Sequence, residues 1–461
     1  MSQQAKDFLQ ASDKKVFDLK HRQTINFNMG KYHAAVDKGL SNFSKLDLAR
    51  NRANHLKWQS IEKLEPYLLQ FESNFQANGG KVIWAQNGEE AIRELLSLFK
   101  KASARSVVKS KSMVTEEIHL NQALEKNGIE VVETDLGEFI QQIDGEPPYH
   151  IVTPAMHKSK EDIADLFHRK LNTPANLTPE QLTGIARKLL RQKYRSAEIG
   201  ITGANFLIAD TGSVAITENE GNARLSVGFP RIHIVIAGIE KIIPSVNDLN
   251  LFWPLLATHG TGQFVTVYNS LLSGPRRSGE TDGPDEMYVI LLDNGRTDIL
   301  ADTEQRQSLY CIRCGACLNA CPVYKNIGGH SYGTTYSGPI GAVISPHLKG
   351  MEEYKHLSFA SSLCGNCTEV CPVRIDLHKL LLINRRQSVN QGLTTKNDKR
   401  QWYFWKKAML NRRLMDMAGT SLKQMALRFL VKPVWGNRRE LPEFAPKSFN
   451  QRWRESRSNP K

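Results

Sequence analysis

Cysteine is scarce and unevenly placed. Only 7 occur in 461 residues, and all lie between Cys311 and Cys371. A disulfide framework distributes cysteines to staple loops, whereas a metal site gathers them. The pattern excludes a secreted disulfide scaffold and points to a reducing compartment and a metal cofactor. Long apolar runs are missing too, since no stretch approaches the ~18 consecutive apolar residues that a spanning helix needs. The opening MSQQAKDFLQASDKK is charged where a signal peptide carries its apolar segment. Neither export nor membrane spanning is expected, and the cytoplasm is the expected compartment. Walker and dinucleotide-binding glycine spacings are absent. No nicotinamide or flavin site is visible, so a hydride-handling cofactor, if needed, is expected on a partner.

What is present begins with bulk. Apolar residues make up 40% of the chain and charged ones 23%, enough to bury sizeable cores and inconsistent with global disorder. At roughly 150 residues per domain, the length suggests about three domains. The net charge of +14 is concentrated, because residues 396–461 hold 17 basic and only 5 acidic residues. Basicity that ordinarily suggests nucleic acid here describes one tail, and the rest of the chain is almost neutral.

Residues 1 to about 70 read as polar helices, with apolar positions at helical spacing in NRANHLKWQSIEKLEPYLLQF. GGKVIWAQ, SVVKSKSM and IEVVETD then read as strands, separated by the helices NGEEAIRELLSLFKKA and EEIHLNQALEKNG. This alternation predicts a parallel, layered α/β domain. After Pro147-Pro148 the pattern is mainly helical, ending in LTPEQLTGIARKLLRQKY, where Thr178 caps a helix and Pro179 occupies its first turn. ANFLIADTGSVAITEN, RIHIVIAGIEKII, QFVTVYNSLL and EMYVILLD continue the sheet to about residue 293. The predicted organisation is a helical segment over 1–70, an α/β domain over 71–295, a helical cysteine-bearing domain over 300–385, a polar linker from Gln387 to Thr395, and a basic amphipathic extension over 396–461. Within the extension, residues 400–430 read as one long helix, broken at Gly419.

The cysteines carry the chemistry. CIRCGACLNACP sets Cys311, Cys314, Cys317 and Cys321 at C-x2-C-x2-C-x3-C with Pro322 next, a bacterial-type iron–sulfur run in which the fourth cysteine ligates the other cluster. CGNCTEVCP supplies Cys364, Cys367 and Cys371 before Pro372, aligning with the last three positions of the first run and placing Ser361 where the first cysteine would be. By crossed ligation, one cluster takes Cys311, Cys314, Cys317 and Cys371. The other takes Cys321, Cys364 and Cys367, with a fourth corner left to Ser361, another side chain, water, a partner's ligand, or a three-iron [3Fe-4S] cluster. A zinc ribbon is the alternative for isolated C-x2-C pairs, but two runs each closing on Cys-Pro are more specific. The 42 residues between Cys321 and Cys364 leave room for helices, so a helical ferredoxin domain fits better than a small two-cluster one. His330, His347, His356 and His378 are candidate iron ligands whose simpler reading is structural.

An α/β domain followed by CIRCGACLNACPVY, CGNCTEVCPVRIDLHKLL and a basic, tryptophan-containing tail resembles the lactate utilisation protein B family. VVKSKSMVTEEIHLN, GIEVVETDLGEFI and FLIADTGSVAITENEGNARL extend the resemblance over nearly the whole chain. The resemblance implies an iron–sulfur subunit that carries electrons through two [4Fe-4S] clusters during oxidation of L-lactate to pyruvate. It implies sister subunits, one rich in cysteine and one with a smaller related domain. It also implies that the α/β domain is similar to the sugar-isomerase and CoA-transferase group.

Other signals are weaker. Glu218 and Glu220, in ITENEGNARL, loosely resemble a CoA-transferase glutamate loop, but strand-end turn chemistry explains them more simply. Thr202-Gly203-Ala204-Asn205 and Thr211-Gly212-Ser213 are candidate anion-binding turns, and Lys109, Lys111, Arg224, Arg231 and His233 are candidate carboxylate ligands that the sequence does not place together. The tail's Trp402, Trp405, Trp435 and Trp453 interleave with lysine and arginine, favouring docking to an acidic partner subunit, then peripheral contact with the inner membrane face, with nucleic acid last. An electron-relay subunit is the expected function. Its rivals are a self-contained hydroxy-acid enzyme using the α/β domain or the open cluster corner, and a redox-sensitive binding protein.

Overall fold

Aliphatic and β-branched runs build the central sheet. The computed structural model describes residues 1–413, 419–436 and 440–458. Its strands are β1 Lys81–Ala85, β2 Ser106–Lys109, β3 Glu130–Glu133, β4 Ile199–Thr202, β5 Phe206–Ile208, β6 Ser213–Glu218, β7 Ile232–Gly238, β8 Ile242–Ile243, β9 Tyr268–Leu272 and β10 Glu286–Leu292. Six form an all-parallel sheet in the order β1-β10-β7-β4-β2-β3, with Val289 opposite Val235 and Val107 opposite Ile199. Val107, Val108, Ile199, Ile201, Ile234, Val235 and Ile236 are fully buried, as expected where helices cover both faces of a parallel sheet.

Local signals set the helices that flank it. Gly88–Ala102 starts on the Asn87 side chain, carries Glu89 and Glu90 in its first turn and Lys100 and Lys101 in its last, matching the helix dipole at both ends. It buries Leu95 and Phe99 in the same cluster as Val107 and Ile236. Thr178 and Gln181 form a reciprocal capping box at the start of Pro179–Ser196.

Two expectations are revised. The later strands do not all extend one sheet, because β5, β6, β8 and β9 form a separate four-stranded sheet in the order β8-β5-β6-β9. Strand β4 lies in the middle of the parallel sheet and carries little sequence signal. Four residues long, it is interrupted by Gly200, where a Cβ would approach the Ser226 carbonyl oxygen to 1.8 Å.

The chain divides into two bodies, Met1–Asn390 and Gln391–Lys461. In the first, one continuous core joins the N-terminal helices (Ile25, Leu56, Phe71), the second sheet (Phe206, Ile242) and the cysteine region (Leu318, Tyr324, Leu380). The helix Leu377–Asn390 takes in the first residues of the predicted linker. In the second body, the helix Lys396–Leu410 ends well before Gly419, which instead precedes Thr420–Ala426. Trp402, Phe404 and Trp405 are exposed on the first of these helices. The parts of the extension at 414–418, 437–439 and 459–461 lie outside the described residues. Among the described residues, no helix is long and apolar enough to cross a membrane.

A buried ionic network ties the α/β layers to the cysteine region. Arg296 is 1% exposed. It donates to Glu117 from Nη1 (2.9 Å) and Nη2 (2.8 Å), and to Glu240 from Nε (2.6 Å). From the cysteine region, Tyr336 Oη donates to Glu117 at 2.6 Å, and Arg313 reaches Glu240 at 3.4 Å. Gly238 leaves the space, since a Cβ there would lie 2.1 Å from Glu240 Oε2 and 2.4 Å from Arg296 Nε. Burial disfavours the Glu240 charge, but Arg296 and Arg313 hold its carboxyl down to about 2. Arg296→Met strands two buried carboxylates and is expected to cost about 3–5 kcal/mol in chemical denaturation. Arg231→Met, which removes only an exposed pair with Asp285, should leave the midpoint near wild type. Equal midpoints for the two variants would contradict a structural role for the network.

Candidate metal centre

The two cysteine runs fold alike. In each, a left-handed residue precedes the second cysteine position: Arg313 (φ 62°) before Cys314 and Leu363 (φ 54°) before Cys364. A left-handed glycine follows, Gly315 (φ 79°) or Gly365 (φ 81°), and opens a short helix, Ala316–Ala320 or Asn366–Glu369, that carries the next cysteine. In the first run, the Arg313 N–H donates to Cys311 Sγ at 3.4 Å. In the second, the Leu363 N–H donates to Ser361 Oγ at 3.1 Å. Ser361 thus stands at the structural position of Cys311, with its oxygen held by the equivalent amide. Asn366 joins the runs by donating from Nδ2 to the Ala320 carbonyl at 3.0 Å.

All seven cysteines are free thiols. Burial pushes Cys314, Cys317 and Cys371 up, and neighbouring thiols push the same way: Cys371 and Cys311 on Cys314, Cys311, Cys314 and Cys371 on Cys317, and Cys311 on Cys371, which reaches about 11. Cys321 is raised by burial and by Cys364, and Cys367 by burial, Cys321 and Cys364, to about 11. Electrostatically, Cys371 is thus coupled to thiols of the first run and Cys321 to thiols of the second. The first group is mostly buried, whereas Cys364 of the second is exposed. Free thiols gathered in two groups suit soft, thiolate-bound iron, and metal binding would release their protons.

Residues far away in sequence shape these loops, and sequence reasoning missed them. Arg50, from the helix Leu46–Glu62, donates to the Cys371 carbonyl from Nε (3.0 Å) and Nη2 (2.9 Å) and also engages the Glu369 carbonyl. Asn54 holds the Val373 carbonyl at 2.8 Å. Lys57 donates to the Glu240 carbonyl at 2.6 Å, and burial lowers its ammonium to about 7. The histidines have structural partners: His347 with Asn384 Oδ1 (2.8 Å), His378 with Thr368 Oγ1 (2.8 Å), His356 with the Glu353 carbonyl (3.0 Å) and His330 with the Pro147 carbonyl (2.8 Å). His330 also meets Glu146 and His157, their ligand atoms all within 4.8 Å, but Glu146 is already paired with Lys158 at 2.9 Å.

A cavity of about 340 Å³ opens where the loops after β2, β3 and β4 face the first cysteine run, and both Arg313 and Cys314 line it. Ligands of open α/β sheets sit at such carboxyl ends of strands. Of the residues singled out in sequence, Lys111, Glu218, Glu220 and the Gly203–Asn205 turn reach this cavity. The others do not. Lys109 is buried against Glu133 (2.8 Å) and Glu116 (3.2 Å), His233 is hydrogen-bonded to Thr202 (2.9 Å), Arg231 pairs with Asp285 (2.9 Å), and Arg224 lies over the Tyr268 ring. Gly212 makes the β5–β6 hairpin turn against Asn74 and Phe75. Glu218 accepts the Ala223 and Arg224 N–H groups (2.7 and 2.9 Å) at the start of a short helix. Sequence offered no signal for Lys241, which burial lowers to about 8, or for Asn222.

Residues 68–292 match the LUD domain family and residues 307–375, spanning all seven cysteines, match the 4Fe-4S dicluster domain. The chain is 46% identical over 392 residues to lactate utilization protein B of Anoxybacillus flavithermus, covering 80% of this chain and 83% of that one. It is 48% identical over 357 residues to lactate utilization protein B of Bacillus subtilis, covering 75% and 74%. It is 44% identical over 410 residues to the uncharacterized electron transport protein YkgF of Escherichia coli, covering 87% and 86%. The dicluster match implies two iron–sulfur clusters. Arg50→Leu should lower the iron bound per chain, read by iron analysis and low-temperature EPR, because it frees the carbonyl of Cys371. Unchanged iron content would show that this clamp is dispensable.

Proposed function

The chain belongs to the lactate utilization protein B family, and from that membership we propose that it is the electron-relaying iron–sulfur subunit of a system that oxidises L-lactate to pyruvate. One observation carries the reading: two cysteine runs of like fold lie within the dicluster match, and the influence of Cys311 on Cys371 and of Cys364 on Cys321 favours ligation across the runs. The first group, Cys311, Cys314, Cys317 and Cys371, is assigned a [4Fe-4S] cluster with four cysteine ligands and no open iron. The second, Cys321, Cys364 and Cys367, is assigned a [4Fe-4S] cluster whose fourth ligand is Ser361, because Leu363 holds its Oγ as Arg313 holds Cys311 Sγ. With no fourth ligand, a three-iron cluster would form there instead. When bound, such clusters supply one-electron transfer.

The chain's own residues do the rest. Seven thiolates bind iron, Arg50 and Asn54 hold the Cys371–Arg374 corner, and the core around Leu318, Tyr324 and Leu380 excludes water. The buried first group and the exposed Cys364 give a path from interior to surface. That surface end suits exchange with the proposed sister subunits, one cysteine-rich and one with a smaller related domain. The basic extension docks an acidic face of such a partner, or touches the inner membrane face, in the cytoplasm. The α/β domain's likeness to the sugar-isomerase and CoA-transferase group is an architectural reading and assigns no catalytic step. A self-contained hydroxy-acid enzyme is the second reading, favoured only by the cavity that reaches Cys314.

Serine substitutions test the assignment. Cys371→Ser should remove the same EPR signal as Cys317→Ser, and Cys321→Ser the same signal as Cys367→Ser. Pairing by run instead of across runs would overturn the crossed arrangement. Ser361→Cys should keep a four-iron second cluster, and Ser361→Ala should convert it to the three-iron form. A four-iron signal unchanged in Ser361→Ala would remove Ser361 as a ligand.

A further inference from the structure

The loop between the helices Leu136–Asp144 and Lys160–Leu171 meets the cysteine region at a group of side chains that the electron relay does not use. Glu146, His157 and His330 each offer a ligand atom there, and the three atoms lie within 4.8 Å of one another. Glu146 Oε2 stands 3.2 Å from His157 Nε2, close to the roughly 3.3 Å between neighbouring ligands of a tetrahedral zinc ion. His330 donates from Nε2 to the Pro147 carbonyl at 2.8 Å. A carbonyl only accepts, so that nitrogen carries the proton and Nδ1 of the neutral ring keeps its lone pair. Metal-ligating histidines are commonly oriented by such a bond from their other nitrogen. His157 keeps a buried Nδ1 with no hydrogen-bond partner, which native structures seldom tolerate without a reason. Burial keeps both rings neutral, bringing His157 down to about 4. Tyr149 fixes their orientation, stacked on His157 with ring centres 4.4 Å apart and edge-on to His330 at 5.1 Å. Lys158 also pairs with Glu146, at 2.9 Å, but it has a second partner in Asp144, so a metal that takes over Glu146 leaves no stranded cation.

We propose that Glu146, His157 and His330 bind a divalent transition-metal ion of the zinc class, with water in the fourth position. Two imidazole nitrogens and one carboxylate oxygen are a donor set that zinc accepts. The ion staples the 146–158 loop to the turn His330–Tyr332 of the cysteine region. That loop is the wall against which the first cysteine run packs. A Cβ at Gly315, between Cys314 and Cys317, would lie 3.0 Å from Val152 and 3.2 Å from His150, and one at Gly329 would lie 1.8 Å from the Tyr149 carbonyl oxygen. Tyr324 Oη donates to the same carbonyl at 2.8 Å. The role is structural, and it depends neither on the iron–sulfur assignment nor on lactate.

The competing explanation is an aromatic cluster held by packing and hydrogen bonds alone. Titration of anaerobically prepared, iron-loaded full-length protein with Zn²⁺ separates the two, with zinc and iron per chain counted by elemental analysis after desalting. The expected result is one zinc per chain in addition to the iron, with an affinity that His157→Ala and His330→Ala each weaken at least about tenfold. Zinc should also raise the thermal midpoint of the wild type and leave that of the variants in place, because an ion stabilises only the fold that binds it. Iron content and visible spectrum, recorded for each variant, show whether the cysteine region persists. Glu146→Gln, which keeps the shape and removes the charge, preserves the test if a histidine variant fails to fold. No saturable zinc beyond the iron would overturn the proposal. So would zinc bound equally by wild type and variants, or zinc gained only as iron is lost, which would place it on the cysteines. Any of these failures leaves the relay reading standing, since EPR of the clusters judges that separately.

Discussion

Arg296 held between Glu117 and Glu240 is the constraint on which the arrangement depends. Neither carboxylate could be buried without it, because burial raises both and Arg296 is the chief cation opposing that. Each carboxylate then reaches into the cysteine region, Glu117 to Tyr336 and Glu240 to Arg313. Arg313 stands between two ligands of one proposed cluster, with its guanidinium 4.5 Å from the centre of the Tyr336 ring. The α/β layers are therefore not a separate module joined by a tether. Their buried charges position the loop that presents Cys311 and Cys314. Ionic contacts of this kind fix one geometry more surely than they add stability, and a pair of metal-binding loops needs one geometry.

The same logic extends to charge balance. Thiolates bring negative charge into a low-dielectric interior, where it is costly unless cations are near. Lys57, Lys241 and Arg313 all feel Cys311 electrostatically, and Arg50 feels Cys371. These cations come from an N-terminal helix, from the turn after β7 and from the cysteine run itself. The contribution of residues 1–70 is thus partly electrostatic, in addition to the apolar core that their helices share with the cysteine region.

Much of this was legible in the sequence where the signal is local. Cys-x-x-Cys spacing with Cys-Pro closure, the Thr178-Pro179 helix start and the alternation of strands with helices each depend on neighbours a few residues apart. Ser361 was legible as a vacancy in an aligned repeat, although its hydrogen bond from Leu363 was not. What stayed hidden depends on distance along the chain. Glu117 and Arg296 are 179 residues apart and Arg50 and Cys371 are 321 apart, and no periodicity announces such pairings. Strand β4 was hidden because Gly200, needed for the approach of Ser226, breaks its apolar pattern. The second sheet was hidden because period-two patterning identifies strands without saying which sheet they join.

The central claim is that this chain carries electrons and relies on partners to take them from lactate. Low-temperature EPR of the isolated, anaerobic, iron-loaded protein tests it most directly, with L-lactate added alone, then dithionite, then L-lactate with the sister subunits. The account predicts no reduction by L-lactate alone, reduction by dithionite, and reduction by L-lactate once the sister subunits are present. Reduction of the isolated chain by L-lactate alone would contradict it and make this chain the oxidising enzyme.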